Sequence, residues 1–166
     1  RHGAVHEHRD GDDPLRTWFV NHCNKSKFNG TINEAMHDAD IFIGVSGPNL
    51  LKEEDVKVMA KDAIVFALAN PDPEIDPTIA RKYASVVATG RSDQPNQINN
   101  VLAFPGIFRG LLDGGITKIT DKMLIAAANA ISECVSSDQL NANFIIPSVF
   151  DPRVATAVAS AVRKAN

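Results

Sequence analysis

"AIVFALAN", residues 63–70, is eight residues without a charge, ending in an amide and followed by Pro71. Its apolar residues do not alternate with polar ones. That pattern is expected of a strand covered on both faces, as in a parallel sheet. "DIFIGVSG", residues 40–47, shares that design, and "SVVATG", residues 85–90, is a third strand-like run. Each is rich in β-branched and small residues, and each ends in small or polar ones: Ser46-Gly47, Asn70-Pro71 and Thr89-Gly90. Residues 143–146, Asn143-Phe144-Ile145-Ile146, read as a further short strand or extended edge, and residues 4–8 as a more exposed one.

Helical patterns lie between these runs. Asp13-Pro14, Asp76-Pro77 and Asp151-Pro152 each set a cap acceptor before a proline, whose missing N–H costs nothing in a first turn. Thr31-Ile32-Asn33-Glu34 has capping-box spacing. Residues 50–60 and 101–112 read as amphipathic helices, the second burying Phe104, Phe108 and Leu111. Thr120-Asp121 opens a helix that turns Met123, Ala127, Ala130 and Ile131 inward, and after Pro152 the residues Val154, Val158, Ala161 and Val162 share one face. Trp18 and Phe19 are expected to anchor the core. Strands alternating with helices predict an α/β fold: a doubly wound, Rossmann-like, mostly parallel sheet with helices on both faces. The carboxyl ends of such strands form a crevice that binds ligands. Three strand ends of similar chemistry point to one shared site there, although Gly and Asn also serve as simple turn residues.

The 166 residues suit one domain, with 44% hydrophobic and 22% charged residues. A net charge of -3, from 17 basic and 20 acidic residues, argues against a nucleic-acid or anionic-membrane partner. No apolar run is long enough to span a bilayer. Cys23 and Cys134 provide neither a disulfide framework nor zinc spacing, and read as reduced, mostly buried thiols of a cytoplasmic protein. His6 and His8 would share one face of a strand but lack a third ligand of suitable spacing. Asp72, Glu74 and Asp76 read as solvated loop charge, Asn96 and Gln97 as solvent-facing loop residues, and Tyr83 and Lys82 as surface residues. Arg91 and Asp93 suit pairing with each other or with another domain.

A dinucleotide-binding fold normally carries Gly-x-Gly-x-x-Gly after its first strand. The sequence has no such loop; the nearest candidate, Gly44-Val45-Ser46-Gly47, is a strand end. Either the chain binds no dinucleotide, or the first strand and its phosphate loop lie upstream of Arg1. The non-Met start suggests a trimmed piece: a partial domain spanning residues 1–166.

"DIFIGVSGPNLLKEEDVKVMA", "AIVFALANPDPEIDP", "VVATGRSDQPNQINNVLAFPGIFRGLLD", "KITDKMLIAAANAI" and "FIIPSVFDPRVATAVASAV" resemble, in order, the C-terminal half of malic enzyme, closest to the shorter bacterial type. The segment from Thr89 to Gly110 is the most specific. The opening "RHGAVHEHR" looks like the piece after the second strand of that family's nucleotide domain, which puts the phosphate loop upstream. The resemblance implies oxidative decarboxylation of malate to pyruvate and carbon dioxide, with NAD or NADP and a divalent metal, Mg or Mn. It implies Asn70, Asn99 and Asn100 as substrate contacts, and Ser46, Gly47, Asn70 and Asn100 along the cofactor. The family's tyrosine–lysine acid–base pair and its acidic metal ligands belong upstream, so no catalytic residue or metal ligand is expected here. It further implies a homo-oligomer, or association with the missing part of the chain, and an isolated piece without activity. The competing readings are a non-catalytic α/β sensing or interaction domain and another hydroxy-acid dehydrogenase. Side-chain amides suit the implied chemistry. Each offers two N–H donors and one oxygen, and grips a carboxylate without adding charge beside a cation and an oxidised nicotinamide. Asn99 and Asn100 are equally suited to capping the helix that follows, with its free N–H groups aimed at the crevice.

Overall fold

The computed structural model describes residues 3–5 and 14–166. His6, His8, the remainder of the expected strand at 4–8, and the Arg1 and Asp13 positions lie outside the described residues. Among the described residues seven α-helices and three strands follow in order: α1 (Pro14–His22), α2 (Ile32–Met36), β1 (Ile41–Gly44), α3 (Glu53–Lys57), β2 (Ile64–Ala67), α4 (Pro77–Ala80), β3 (Val86–Thr89), α5 (Phe104–Gly114), α6 (Asp121–Ser132) and α7 (Pro152–Lys164). The strands form a parallel sheet in the order β1-β2-β3, as expected of a Rossmann-like α/β fold. Ile41, Ile64 and Val86 stand in one row, and Gly44, Ala67 and Thr89 in the last.

Pleating sends alternate residues to opposite faces. One face presents Phe42, Val65, Ala67 and Val87 to α2, α3 and α4, where Met36, Val56, Met59, Ile75 and Ala80 complete a core. The other face is not covered throughout. Ala88 is fully buried, but Ile43 on β1 is 62% exposed and Ile41 is also exposed. The expected two-sided burial is therefore partial at β2, where Ile64 and Phe66 are half-buried, and fails at β1. Residues 143–146 are no strand: Asn141 and Phe144 form an isolated bridge around a turn.

A second core packs α5, α6 and α7 around Ile107, Met123, Ala127, Val154, Val158 and Val162. Gly106 and Gly110, one helical turn apart, are the reason α5 and α7 meet so closely. A Cβ on Gly106 would lie 2.5 Å from Val158 Cβ, and one on Gly110 would lie 2.7 Å from the Ala159 carbonyl oxygen. Capping follows the sequence closely. Thr31 and Glu34 form a capping box, and Asp76, Thr120 and Asp151 accept backbone N–H groups at the starts of α4, α6 and α7.

Several expectations need correction. The helix expected over 50–60 shrinks to α3. That over 101–112 splits into a 3-10 turn, Asn100–Leu102, and α5, because Pro105 lacks the N–H that would continue an earlier helix and fits only a first turn. Phe104 and Phe108 face outward, since the glycine side of α5 is the one that meets α7; only Leu111 of that trio packs on the core. Trp18 and Phe19 do not anchor the core: on α1, which has no buried residue, Trp18 stacks on His22 and meets Phe19 edge-on. Cys23 is exposed and Cys134 half-buried, both as free thiols.

Candidate functional site

The register brings the chain ends to one edge. Gly44, Ala67 and Thr89 form the last row of the sheet, and Gln97 bridges to Thr89 in parallel beside it. The Leu68 N–H donates to the Gly44 carbonyl at 3.0 Å, and the Ile98 N–H to the Thr89 carbonyl at 2.8 Å. Four parallel segments thus leave at the carboxyl edge. Two residues beyond the row stand Ser46, Ala69, Arg91 and Asn99; one residue further stand Gly47, Asn70 and Asn100. The five residues expected to bind ligands therefore share one rim. Ser46, Asn70, Asn99 and Asn100 are exposed there. The Asn70–Pro71 bond is cis.

The two asparagines after Ile98 have separate duties. Asn99 Oδ1 accepts the Val101 N–H at 3.0 Å and caps the 3-10 turn. Asn100 is the first residue of that turn. Gly47 leaves bare backbone: a Cβ there would meet nothing within 4 Å, so no neighbour among the described residues requires a glycine. Close approach of backbone to a ligand is a common use of such a residue.

Of two residues read as solvent-facing, Asn96 is buried and structural and Gln97 is half-buried. Asn96, left-handed at φ 57°, donates through Nδ2 to the carbonyls of Val87 (3.1 Å) and Ala142 (2.8 Å) and accepts the Ile145 N–H at 2.9 Å. It sews the loop after β3 to the segment before α7, in a conformation that Asn tolerates. Gln97 is half-buried, its Nε2 reaching the Gly90 carbonyl at 3.4 Å.

Glu74 is the larger surprise. It is 0% exposed rather than solvated. Its Oε1 accepts the Ser46 N–H at 2.8 Å and the Ser46 hydroxyl at 3.0 Å, and its Oε2 accepts the Ala69 N–H at 3.1 Å. Burial pushes this carboxyl up, but the Ser46 and Ala69 donors together outweigh it and hold it below the usual carboxylate range. Gly44 makes room, since a Cβ there would lie 2.5 Å from Glu74 Cδ. The only hint in the sequence was that Glu74 is flanked by Pro73 and Ile75, both buried.

Asp72 and Asp76 remain exposed, and with Asn49, Pro73, Pro77 and Arg91 they line a hollow of about 300 Å³ at the same edge. A larger hollow, about 440 Å³ between Gly3, Thr31 and Leu50, is lined by none of the rim residues. Arg91 pairs with Asp93 through two N–H groups at 2.9 and 2.6 Å, and the guanidinium holds the Asp93 carboxyl at about 2. Tyr83 and Lys82 both reach Glu53, at 2.7 and 3.4 Å, on the surface. The acidic trio does not suit a divalent cation, because both Glu74 oxygens are engaged by Ser46 and Ala69. Among the described residues no group of three or more His, Cys, Asp or Glu converges as a metal site.

The family profile "Malic enzyme, NAD binding domain" matches residues 1–166. The chain is 52% identical over 165 residues to an NAD-dependent malic enzyme of Geobacillus stearothermophilus, covering 99% of this chain and 34% of that protein. It is 53% identical over 165 residues to a bifunctional malic/malolactic enzyme of Bacillus subtilis, covering 98% of this chain and 40% of the other. NADP-dependent malic enzymes are among its further relatives. The crystal structure of an NAD-dependent malic enzyme from Thermotoga maritima superposes with a TM-score of 0.90 at 42% identity, covering 98% of this chain and 43% of that one. The chain thus spans well under half the length of these relatives.

Proposed function

We propose, for a chain that belongs to the malic enzyme NAD-binding domain family, that its carboxyl rim forms the cofactor-facing wall of an NAD- or NADP-dependent enzyme converting malate to pyruvate and carbon dioxide. One observation carries the reading: Asn70, Asn99 and Asn100 leave parallel segments at the same sheet edge as Ser46 and the unobstructed Gly47. Asn70, Asn99 and Asn100 take the substrate; Ser46, Gly47, Asn70 and Asn100 lie along the cofactor. Bound nicotinamide supplies the hydride acceptor, and its redox chemistry is its own. The residues of this chain bind and orient. The exposed amide of Asn100 donates to a malate carboxylate, while Asn70, between the ends of β1 and β3, reaches both substrate and nicotinamide. Asn99 spends its oxygen on Val101 and keeps its two N–H donors for a carboxylate. Holding hydroxyl-bearing carbon and ring in contact is what such a wall contributes.

The divalent cation, Mg or Mn, finds no ligand set among the described residues, so its carboxylates and the acid–base pair are assigned to the remainder of the enzyme. No helix among the described residues is long and apolar enough to cross a membrane. We place the enzyme in the cytoplasm, a reading supported by two free thiols. Association with another copy or with the rest of the enzyme is supported by the exposed stripe of Phe104, Phe108 and Leu112. The test is Asn100→Ala in the intact enzyme. Loss of a hydrogen bond to a charged group should lower kcat/KM for malate by roughly 10- to 100-fold. Unchanged malate kinetics would remove the reading, as would malate oxidation by residues 1–166 alone.

A further inference from the structure

We infer that Glu74 is the positioning residue of the rim: its buried carboxylate clips the end of β1 to the end of β2 and fixes which way the Ser46 hydroxyl faces. The inference rests on the cofactor reading above and adds a residue to it.

The geometry is that of a clip. One carboxylate oxygen takes both donors of Ser46, two residues past β1; the other takes the N–H of Ala69, two residues past β2 and next to Asn70. The backbone of the same segment holds the loop after β1 as well, since the Asn49 N–H donates to the Pro73 carbonyl at 3.1 Å and the Leu51 N–H to the Glu74 carbonyl at 2.9 Å. Gly44 completes the seat, being the one residue type whose lack of Cβ lets the carboxylate lie against β1. Ser46 and Asn70 lie in the segments that follow different strands, and the Glu74 side chain touches both segments.

The chemistry has a consequence for Ser46. An ionised carboxylate only accepts, so the Ser46 hydroxyl hydrogen is committed to Glu74. Toward the open side Ser46 Oγ then presents lone pairs alone. It accepts from a ligand N–H or O–H, such as a carboxamide or a ribose hydroxyl, and has no hydrogen to give a phosphate. Charge-assisted bonds of this kind are stronger than neutral ones, and a buried donor stripped of its acceptor is costly. Gln at position 74 keeps the shape but turns an N–H toward either Ser46 or Ala69, so one donor must face another.

The experiment is a double-mutant cycle in the intact enzyme with Glu74→Gln, Ser46→Ala and both together, measured well below each variant's unfolding temperature. Each single variant should raise KM for the nicotinamide cofactor by about tenfold, the size expected for one lost hydrogen bond to a charged group. The double variant should be no worse than the stronger single, because Glu74 acts through Ser46. KM for malate should change less than KM for the cofactor. If Glu74→Gln lowers only the unfolding temperature and leaves both kinetic parameters intact, or if the two effects multiply, Glu74 is merely structural and the inference is overturned. If Ser46→Ala is itself silent, the cofactor rim fails and the inference with it. Should Glu74→Gln not fold, Glu74→Asp carries the same comparison, keeping the charge while drawing both oxygens back.

Discussion

Adding one methyl group at Gly47 separates a ligand-binding role from a folding role. A Cβ there would have no heavy atom within 4 Å, and the residue is not in the left-handed region. The folded chain thus has no steric objection to alanine, while the unfolded chain loses conformational freedom. Such a Gly→Ala change stabilises by about 0.4–1 kcal/mol. For a domain of this size that raises the unfolding temperature by roughly 1–4 °C. The same methyl would intrude on a cofactor lying along the strand end. Overfilling a packed contact costs about 1–3 kcal/mol, so cofactor affinity should fall roughly 5- to 150-fold. Calorimetry gives the first quantity, and steady-state KM of the intact enzyme gives the second. Gly44→Ala, three residues earlier, is the control: its Cβ meets Glu74 Cδ at 2.5 Å, so it should lose stability outright. A Gly47→Ala enzyme with unchanged cofactor KM would show that nothing lies against this backbone, and the assignment of Ser46 and Gly47 would go with it.

Gly106→Ala should destabilise by about 1–2 kcal/mol in chemical denaturation, because overpacking against Val158 and the Ala155 carbonyl, 2.5 and 2.8 Å from the new Cβ, exceeds the better helix propensity of Ala. An unshifted midpoint would mean that α5 and α7 separate freely. Asn96→Ala should cost about 2–4 kcal/mol, since it strands the Val87 and Ala142 carbonyls and the Ile145 N–H and leaves Ala in a left-handed backbone; full native stability would contradict its stitching role. Acid should weaken the fold through Glu74. Its folded carboxyl titrates below the ordinary value of 4.5, so its contribution is complete above that pH and is lost as pH falls through the lower folded value. Asp151, which Arg153 holds at about 2, adds a loss of the same sign between 3.8 and about 2. Urea midpoints measured from pH 7 down to pH 2 check this, and Glu74→Gln should flatten the upper part of the decline.

The sequence by itself determined the class of fold, the order of its elements, most of the helix starts and the composition of the carboxyl rim. Those features are local. An uncharged run of β-branched and small residues reads as a strand wherever it packs, and an Asp before a proline supplies its own cap acceptor within a few residues. The rim followed as well, because parallel strands end on one side and each rim residue comes directly after the end of its own segment. What tertiary structure alone decided was which polar side chains are buried and which apolar ones are not. Glu74 and Asn96 look like loop polarity in the sequence, yet their partners Ser46 and Ala142 lie 28 and 46 residues away. Phe104 and Phe108 look like core, yet Gly106 and Gly110 turn the opposite side of α5 to its neighbour. Burial depends on what another part of the chain brings within hydrogen-bond or van der Waals reach, and no short window of sequence contains that distance.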